Sequence, residues 1–285
     1  MPKAVVVIPI YKSIPDKYEK ISFNQAVNVF STREISIVSY RGLNLTYYTN
    51  ILEARKVKYQ INYFEKSFFE TVYGYNQLML SRFFYRSFLN YEFILIYQLD
   101  AYVFRDELDY WCEQNYDFIG APLIEDKYGQ DKKYFLNDFN GGFSLRKVAY
   151  CLKFLSRKGP IIKPLKVYEL TKKEFNGNFL KRFIYSFFRS LGKHNHVDYF
   201  KKKTYINEDL FFCLGFYVSW VNSHIIPQDA WIFPKLPTVK EAARFSFERY
   251  PLELFNFNEN NLPFGCHAWQ KYEYESFWKK YIRSS

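Results

Sequence analysis

The sequence predicts an α/β fold with a largely parallel central sheet. Two observations carry that reading. Apolar runs rich in β-branched residues recur along the N-terminal part of the chain, and stretches with helical spacing separate them. A third sets the scale: 285 residues, 48% hydrophobic and 24% charged, give a soluble globular composition with ample material for a core.

AVVVIPIY, Ala4 to Tyr11, reads as a buried strand ended by Pro9. A helix is expected around Asp16 to Phe30. EISIVSY, Glu34 to Tyr40, is a second buried strand, with Arg41-Gly42 as its turn. KYQINYFE, Lys58 to Glu65, is a weaker third. Tyr73 to Leu89 has the spacing of one helix, with Leu78, Phe84 or Tyr85, and Phe88 or Leu89 on its apolar side. FILIYQLDAYVF, Phe93 to Phe104, is expected to be a fourth, central strand.

After Asp106 the pattern changes to short islands separated by loops: YDFIGAPL, FNGGFSLRK, INEDLFFCLGF and LPFGCHAW. A basic segment, Lys158 to Lys203, lies between two of them. Within it Phe179, Phe183, Phe187 or Phe188, and Leu191 recur at helical spacing, flanked by Lys181, Arg182, Arg189 and Lys193. There is no internal repeat and no low-complexity linker.

Aromatic residues make up 22% of the chain, from 31 Phe, 27 Tyr and 5 Trp. They offer many stacking platforms, although a Lys-, Tyr-, Phe- and Asn-rich composition also follows from an AT-rich genome. The formal net charge of +11 favours anionic partners, whether nucleotide phosphates, nucleic acid or an anionic membrane surface. Cys112, Cys151, Cys213 and Cys266 are widely spaced, which argues against a zinc motif or a dense disulfide framework and fits a reducing cytoplasm. The N-terminal apolar run is too short for a signal peptide, and no segment reaches the roughly 18 apolar residues of a spanning helix.

Asp100 near the end of an apolar strand poses the first chemical question. Ligands of open α/β sheets bind at the carboxyl ends of the strands, and an Asp there can hold a divalent cation that bridges two phosphates. The plainer reading is an Asp that opens a turn. In FNGGFSLR, Gly141 and Gly142 follow Asn140 and let backbone approach a ligand closely. NEDLFF pairs Glu208 with Asp209. Acids at a helix N-terminus are favoured by its dipole, and an acid there can also serve as a general base. A lone His such as His267 is more often structural than a ligand, although neutral imidazole is a common metal ligand.

Taken in order, VVVIPIY, YNQLMLSRFFY, FILIYQLDAYVF, DFIGAP, FNGGFSLR, NEDLFF and PFGCHAW resemble nucleotide-sugar glycosyltransferases of the GT-A fold. The nearest resemblance is to a glycosyltransferase-like family catalogued as a domain of unknown function. It shares a Q-x-D strand end, N-G-G-F-S-L-R, an E-D pair and a late G-x-H. The resemblance runs from about Val5 to Trp269 and implies a single GT-A, Rossmann-like domain over residues 1–285, with an insertion over about 158–203.

The resemblance implies a donor and metal site. Gln98-Leu99-Asp100 stands where the family-wide metal motif has two acids, so Gln98 brings an oxygen without charge. Asp100 and His267 would hold Mn²⁺ or Mg²⁺, with Asp100 facing a cation brought by the nucleotide rather than a side chain. Pro9, Ile10 and Tyr11 would face base and ribose, with Tyr11 stacking on the base. Asn76 and Arg82 are donor-contact candidates, Arg82 having a solvated helix face as its alternative. Asn140, Gly141 and Gly142 would line the sugar or acceptor side. Asp209, with Glu208 as second choice, would be the base of an inverting displacement, and a retaining route stays open.

The implied donor is a nucleotide sugar, a UDP-sugar foremost, and the acceptor a glycan or lipid-linked glycan. The aromatics of Phe179 to His194 either pack on the core with the basic residues in water, or form a surface helix that docks on an anionic membrane. The second would suit a cytoplasmic enzyme on the inner membrane face. His194 to His196 lacks the partners of a metal site. Two other classes compete: a nucleic-acid-binding protein, for which no RRM or helix-turn-helix signature is present, and a sugar-nucleotide-binding relative without activity.

Overall fold

A computed structural model of the chain describes residues 3–126, 133–160, 168, 178–191, 196–202, 207–213 and 234–282. In the N-terminal half the order is β1 (Ala4–Pro9), α1 (Lys17–Val29), β2 (Ile35–Tyr40), α2 (Thr46–Ala54), β3 (Tyr59–Phe64), α3 (Val72–Met79), α4 (Arg82–Arg86), β4 (Phe93–Tyr97), β5 (Tyr102–Val103) and α5 (Leu108–Gln114). Then come β6 (Phe118–Ile119), β7 (Pro122–Asp126), β8 (Lys133–Phe139), β9 (Phe143–Lys147), α6 (Val148–Leu155), α7 (Phe179–Leu191), α8 (Val197–Phe200) and α9 (Glu208–Phe212). α10 (Val239–Phe245), β10 (Ser246–Phe247), α11 (Pro251–Phe257) and β11 (Gly265–Cys266) follow, and a short 3-10 turn, Trp278–Lys280, comes last.

The central sheet has the order β3-β2-β1-β4-β9-β6. β1 pairs in parallel with β2 and β4, and β2 with β3, while β9 runs against β4 and β6. The architecture is the mixed α/β one the apolar runs predict, with a mostly parallel sheet. β1 shows why it is buried on both faces. Val5 and Val7 pack with Phe84, Tyr85, Phe154 and Phe211 on one side. Val6 and Ile8 pack with Phe23, Val27, Leu52 and Trp111 on the other. Alternation with a period of two, apolar at every position, places helices on both faces.

Local chemistry fixes the first helix. Asp16 Oδ1 accepts from Tyr18 and Glu19 backbone N–H at 2.9 and 3.0 Å, and Glu19 Oε2 accepts from Asp16 N–H at 2.8 Å. This capping box contributes about 1 kcal/mol and opens the helix one residue after its predicted start.

Two expected elements differ. The single helix over Tyr73 to Leu89 is two, α3 and α4, because Ser81 caps a new helix by accepting from Phe83 N–H at 3.1 Å. The strand expected over Phe93 to Phe104 ends at Tyr97. Ala101 N–H donates to Gln98 C=O at 2.9 Å, which closes a turn with Asp100 inside it. The chain then enters a different, three-stranded sheet of order β10-β11-β5.

The aromatics of α7 do not pack on the core: Phe179, Phe183 and Phe188 are 68%, 53% and 69% exposed. Lys193 and His194 lie outside the described residues, while the His196 ring nitrogen Nδ1 is 3.0 Å from Lys158 C=O. All four cysteines are buried and unpaired. Among the described residues no helix is long and apolar enough to cross a membrane.

Candidate functional site

The sheet topology gathers the motifs at one edge. β1 and β4 end there at Pro9 and Tyr97, and the antiparallel β9 starts there, with Tyr97 opposite Phe143. Gln98 N–H donates to Gly142 C=O at 2.9 Å and prolongs that pairing by one residue. Q-x-D and N-G-G are therefore neighbours because one strand runs in reverse.

The small sheet delivers the rest. Cys266 pairs with Tyr102 and Phe247 with Cys266. The residues that flank these pairs, Asp100, His267 and Glu248, meet at one end of it. His267 Nε2 lies 3.1 Å from Asp100 Oδ1 and 3.1 Å from Gln98 Oε1. His267 Nδ1 lies 3.2 Å from Glu248 Oε1, which also accepts from Asn140 Nδ2 at 3.2 Å. Gly142 N–H donates to Asn140 Oδ1 at 2.8 Å. A methyl group on Gly142 would stand 2.1 Å from His267 Nε2, so glycine is what admits the imidazole.

Asp100 is paired with side chains, contrary to expectation. Besides His267 it accepts from Lys271 Nζ at 2.9 Å. The turn brings it back under the C-terminal segment, where these cations offset the cost of burying it. Burial pushes its pKa up, but the positive charges of His267 and Lys271 hold it well below the ordinary carboxylate range. Burial alone would lower the His267 pKa, and Asp100 and then Glu248 outweigh it and carry it to about 10.

The donor set fits a divalent cation. An Asp oxygen, an imidazole nitrogen and an amide oxygen converge, and ligands adjacent on an octahedral ion with bonds near 2.1 Å stand about 3.0 Å apart. Glu248 on the far ring nitrogen fixes the imidazole's orientation, as carboxylates do behind histidines that bind metals. Among the described residues no three His, Cys, Asp or Glu side chains gather as a metal cluster, because the third donor here is the amide of Gln98.

The second half of the site is built on Arg146, fully buried in β9. Its Nη2 donates to Glu208 Oε1 at 2.9 Å and to Gly141 C=O at 3.0 Å, and its Nη1 to Tyr85 OH at 3.2 Å. Asn76 Nδ2 donates to Asn207 Oδ1 at 3.2 Å, and Asn76 Oδ1 accepts from Glu208 N–H at 3.4 Å. Asn76 thus holds the N-E-D turn in place.

Asp209 Oδ2 accepts from Gly141 N–H at 3.1 Å and Oδ1 from Leu210 N–H at 2.7 Å. Its burial, and then the charge of Glu208, raise its pKa to about 7, within the range of a general base. Glu208 Oε2 is buried without a hydrogen-bond partner among the described residues.

The other candidates are spread more widely. Tyr11 presents a half-exposed ring beyond β1, its hydroxyl donating to Glu19 Oε1 at 3.2 Å. Pro9 is buried at the strand end, and the Ile10 side chain faces the core. Arg82 is exposed at the start of α4, where its charge adds to burial in lowering the Lys201 pKa. Arg82 has no contact with Asp100, His267 or Asp209 among the described residues. A cavity of about 490 Å³ lined by Arg105, Trp111, Lys240 and Arg244 involves none of the motifs.

Residues 58–267, more than half of the chain, match the protein family described as protein of unknown function, DUF5672. The chain belongs to that family. The DUF5672 span takes in Q-x-D, N-G-G and E-D and ends on His267, leaving β1 and Lys271 outside. No curated protein matches the chain in sequence. Among solved structures, core-mannan synthase A (CmsA/Ktr4) from Aspergillus fumigatus, Mn/GDP form, is 10% identical over 85% of this chain and 73% of that one, with TM-score 0.39. HddC from Yersinia pseudotuberculosis is 11% identical over 54% and 80%, with TM-score 0.35. The PaToxG glycosyltransferase is 16% identical over 66% and 69%, with TM-score 0.26. At these scores the likenesses carry no functional argument for the DUF5672 chain, and its own site must supply one.

Sequence reasoning missed Glu248, Lys271 and Arg146. Arg146 had a signal, since it closes the N-G-G-F-S-L-R segment at a position that points into the core. Glu248 and Lys271 had none, because strand pairing alone brings them to the site.

Proposed function

We propose that this protein is a glycosyltransferase that moves a sugar from a nucleotide-diphosphate donor, a UDP-sugar foremost, to a hydroxyl of a glycan or lipid-linked glycan. The single observation that carries the reading is the convergence of Asp100, Gln98 and His267 at the carboxyl edge of a parallel sheet, next to a buried Asp209 with its pKa near 7. A divalent-ion position beside a base is what transfer from a diphosphate needs.

Asp100, His267 and Gln98 would hold Mn²⁺ or Mg²⁺, and Glu248 would keep His267 Nε2 turned toward it. The bound cation supplies neutralising charge to the departing diphosphate. Tyr11 offers a ring face to the base. Asp209 takes the proton of the acceptor hydroxyl as its oxygen attacks the anomeric carbon. The carbon–phosphate-oxygen bond breaks and its electron pair leaves with the nucleoside diphosphate. Gly141 N–H, bonded to Asp209 Oδ2, aims that carboxylate. Arg146 neutralises Glu208 and leaves Asp209 as the acid free to exchange a proton.

A panel of nucleotide sugars screened for slow metal-dependent hydrolysis tests the reading and names the donor without the acceptor. Release of nucleoside diphosphate from one donor, lost in Asp209→Asn, is expected. No release from any donor, together with no nucleotide binding, would sink it. A second reading, donor binding without transfer, is favoured by Lys271 neutralising Asp100. Nucleotide binding with no turnover would select it.

A further inference from the structure

α7 is amphipathic, and its apolar side is the wrong way round for a core helix. At 3.6 residues per turn, Phe179, Leu180, Phe183, Ile184, Phe188 and Leu191 spread over about half the helix circumference. They are 47–69% exposed. Tyr168 covers one margin of the helix, its ring centroid 5.8 and 6.5 Å from those of Phe179 and Phe183. Ser186 is buried, and Arg182 donates to Tyr168 C=O while its guanidinium lies 3.8 Å from the Tyr168 ring centroid. A surface helix ordinarily turns its apolar stripe inward. A continuous exposed apolar face of this kind marks an interaction surface.

Charge selects the partner. Between Asn178 and Lys202 the sequence carries Lys181, Arg182, Arg189, Lys193, Lys201 and Lys202 against one acid, Asp198. Lys181 is exposed beside the apolar face. A protein partner could be apolar or acidic, but an anionic bilayer is both in one plane: acyl chains under negative headgroups. Helices of high amphipathicity with basic residues at the edge of the apolar side lie in that interface.

We propose that α7 docks this protein on an anionic lipid surface, with Leu180, Ile184 and Phe188 entering the acyl boundary and Lys181 meeting the headgroups. The proposal stands apart from the transferase reading, since it rests on the helix alone.

Co-sedimentation of the full chain with vesicles of phosphatidylcholine alone, and of phosphatidylcholine mixed with phosphatidylglycerol, tests it. The wild type is expected to pellet with the anionic vesicles and to be released by salt. The double variant Leu180→Glu, Phe188→Glu is expected to lose about tenfold or more in partitioning, about 1.4 kcal/mol, with an unchanged unfolding midpoint and unchanged nucleotide binding. Both side chains are exposed, so the fold should tolerate the change. Equal binding to neutral and anionic vesicles, or full binding by the double variant, would overturn the proposal. So would a concentration-dependent dimer in gel filtration that the same substitutions dissolve, since a second copy would then cover the face. If nucleotide binding fails while vesicle binding holds, the transferase reading falls and this one stands.

Discussion

Arg146 and Glu208 form an ion pair 2.9 Å apart with side chains 0% and 5% exposed. The pair ties β9 to the N-E-D turn, and Gly141 C=O shares the same guanidinium. Removing one partner leaves a buried charge alone, at a cost of about 3–5 kcal/mol. Arg146→Met should lower stability by about that much in urea unfolding. A loss below about 1 kcal/mol would show that the pair does not hold the fold together.

Asp209 makes activity and stability respond to pH in opposite directions. Its pKa rises from 3.8 to about 7 in the folded protein, through burial first and Glu208 second. Turnover should therefore rise with pH through about 7 and level off above it, as the carboxylate becomes available. Stability should do the reverse, falling as pH rises from about 4 to 7, because the folded state holds a proton there that the unfolded state has lost. Asp138, also raised to about 7, acts in the same direction, so the difference between wild type and Asp209→Asn isolates Asp209. Glu208→Gln should move the activity limb to lower pH. A pH-independent rate between 5 and 9 would assign the base elsewhere.

Gly142 and His267 are in tight contact. An added Cβ would sit 2.1 Å from Nε2, and the imidazole is held on both ring nitrogens. Gly142→Ala should fold with a loss of about 1–3 kcal/mol and should abolish metal-dependent stabilisation by nucleotide. Normal metal response in that variant would remove His267 from the cation site.

Lys271 places a positive charge 2.9 Å from Asp100 Oδ2, on an otherwise exposed stem. A cation arriving at Asp100 is opposed by that charge. Lys271→Met should lower the Mn²⁺ concentration needed for half-maximal nucleotide-dependent stabilisation. A raised requirement would instead assign Lys271 to the diphosphate.

Much of this arrangement is legible in sequence where one face of one element decides it. The runs at Ala4–Pro9 and Ile35–Tyr40 are rich in β-branched residues and buried on both faces, as interior strands of a parallel sheet are. The helix expected from about Asp16 is there, and a capping box sets its first turn. The strand end at Tyr97 is not legible, because Tyr102 and Val103 continue the apolar run for a different reason: they join a second sheet. Of the two readings the sequence offers for Asp100, the plainer one, a turn residue, is what the structure has, and His267 and Lys271 already hold its carboxylate. Glu248 and Lys271 are invisible in sequence because pairings of two-residue strands, far apart along the chain, deliver them.

On the proposed function, Asp100 binds a divalent cation with His267 and Gln98, together with a nucleoside diphosphate. Thermal unfolding of wild type and Asp100→Ala with UDP, with and without Mn²⁺, measures it most directly. At about 100 times the dissociation constant, UDP should stabilise the wild type by about 2.7 kcal/mol, only when Mn²⁺ is present. Asp100→Ala should fold and show no such gain. Equal stabilisation without metal, or an unchanged response in Asp100→Ala, would contradict the claim.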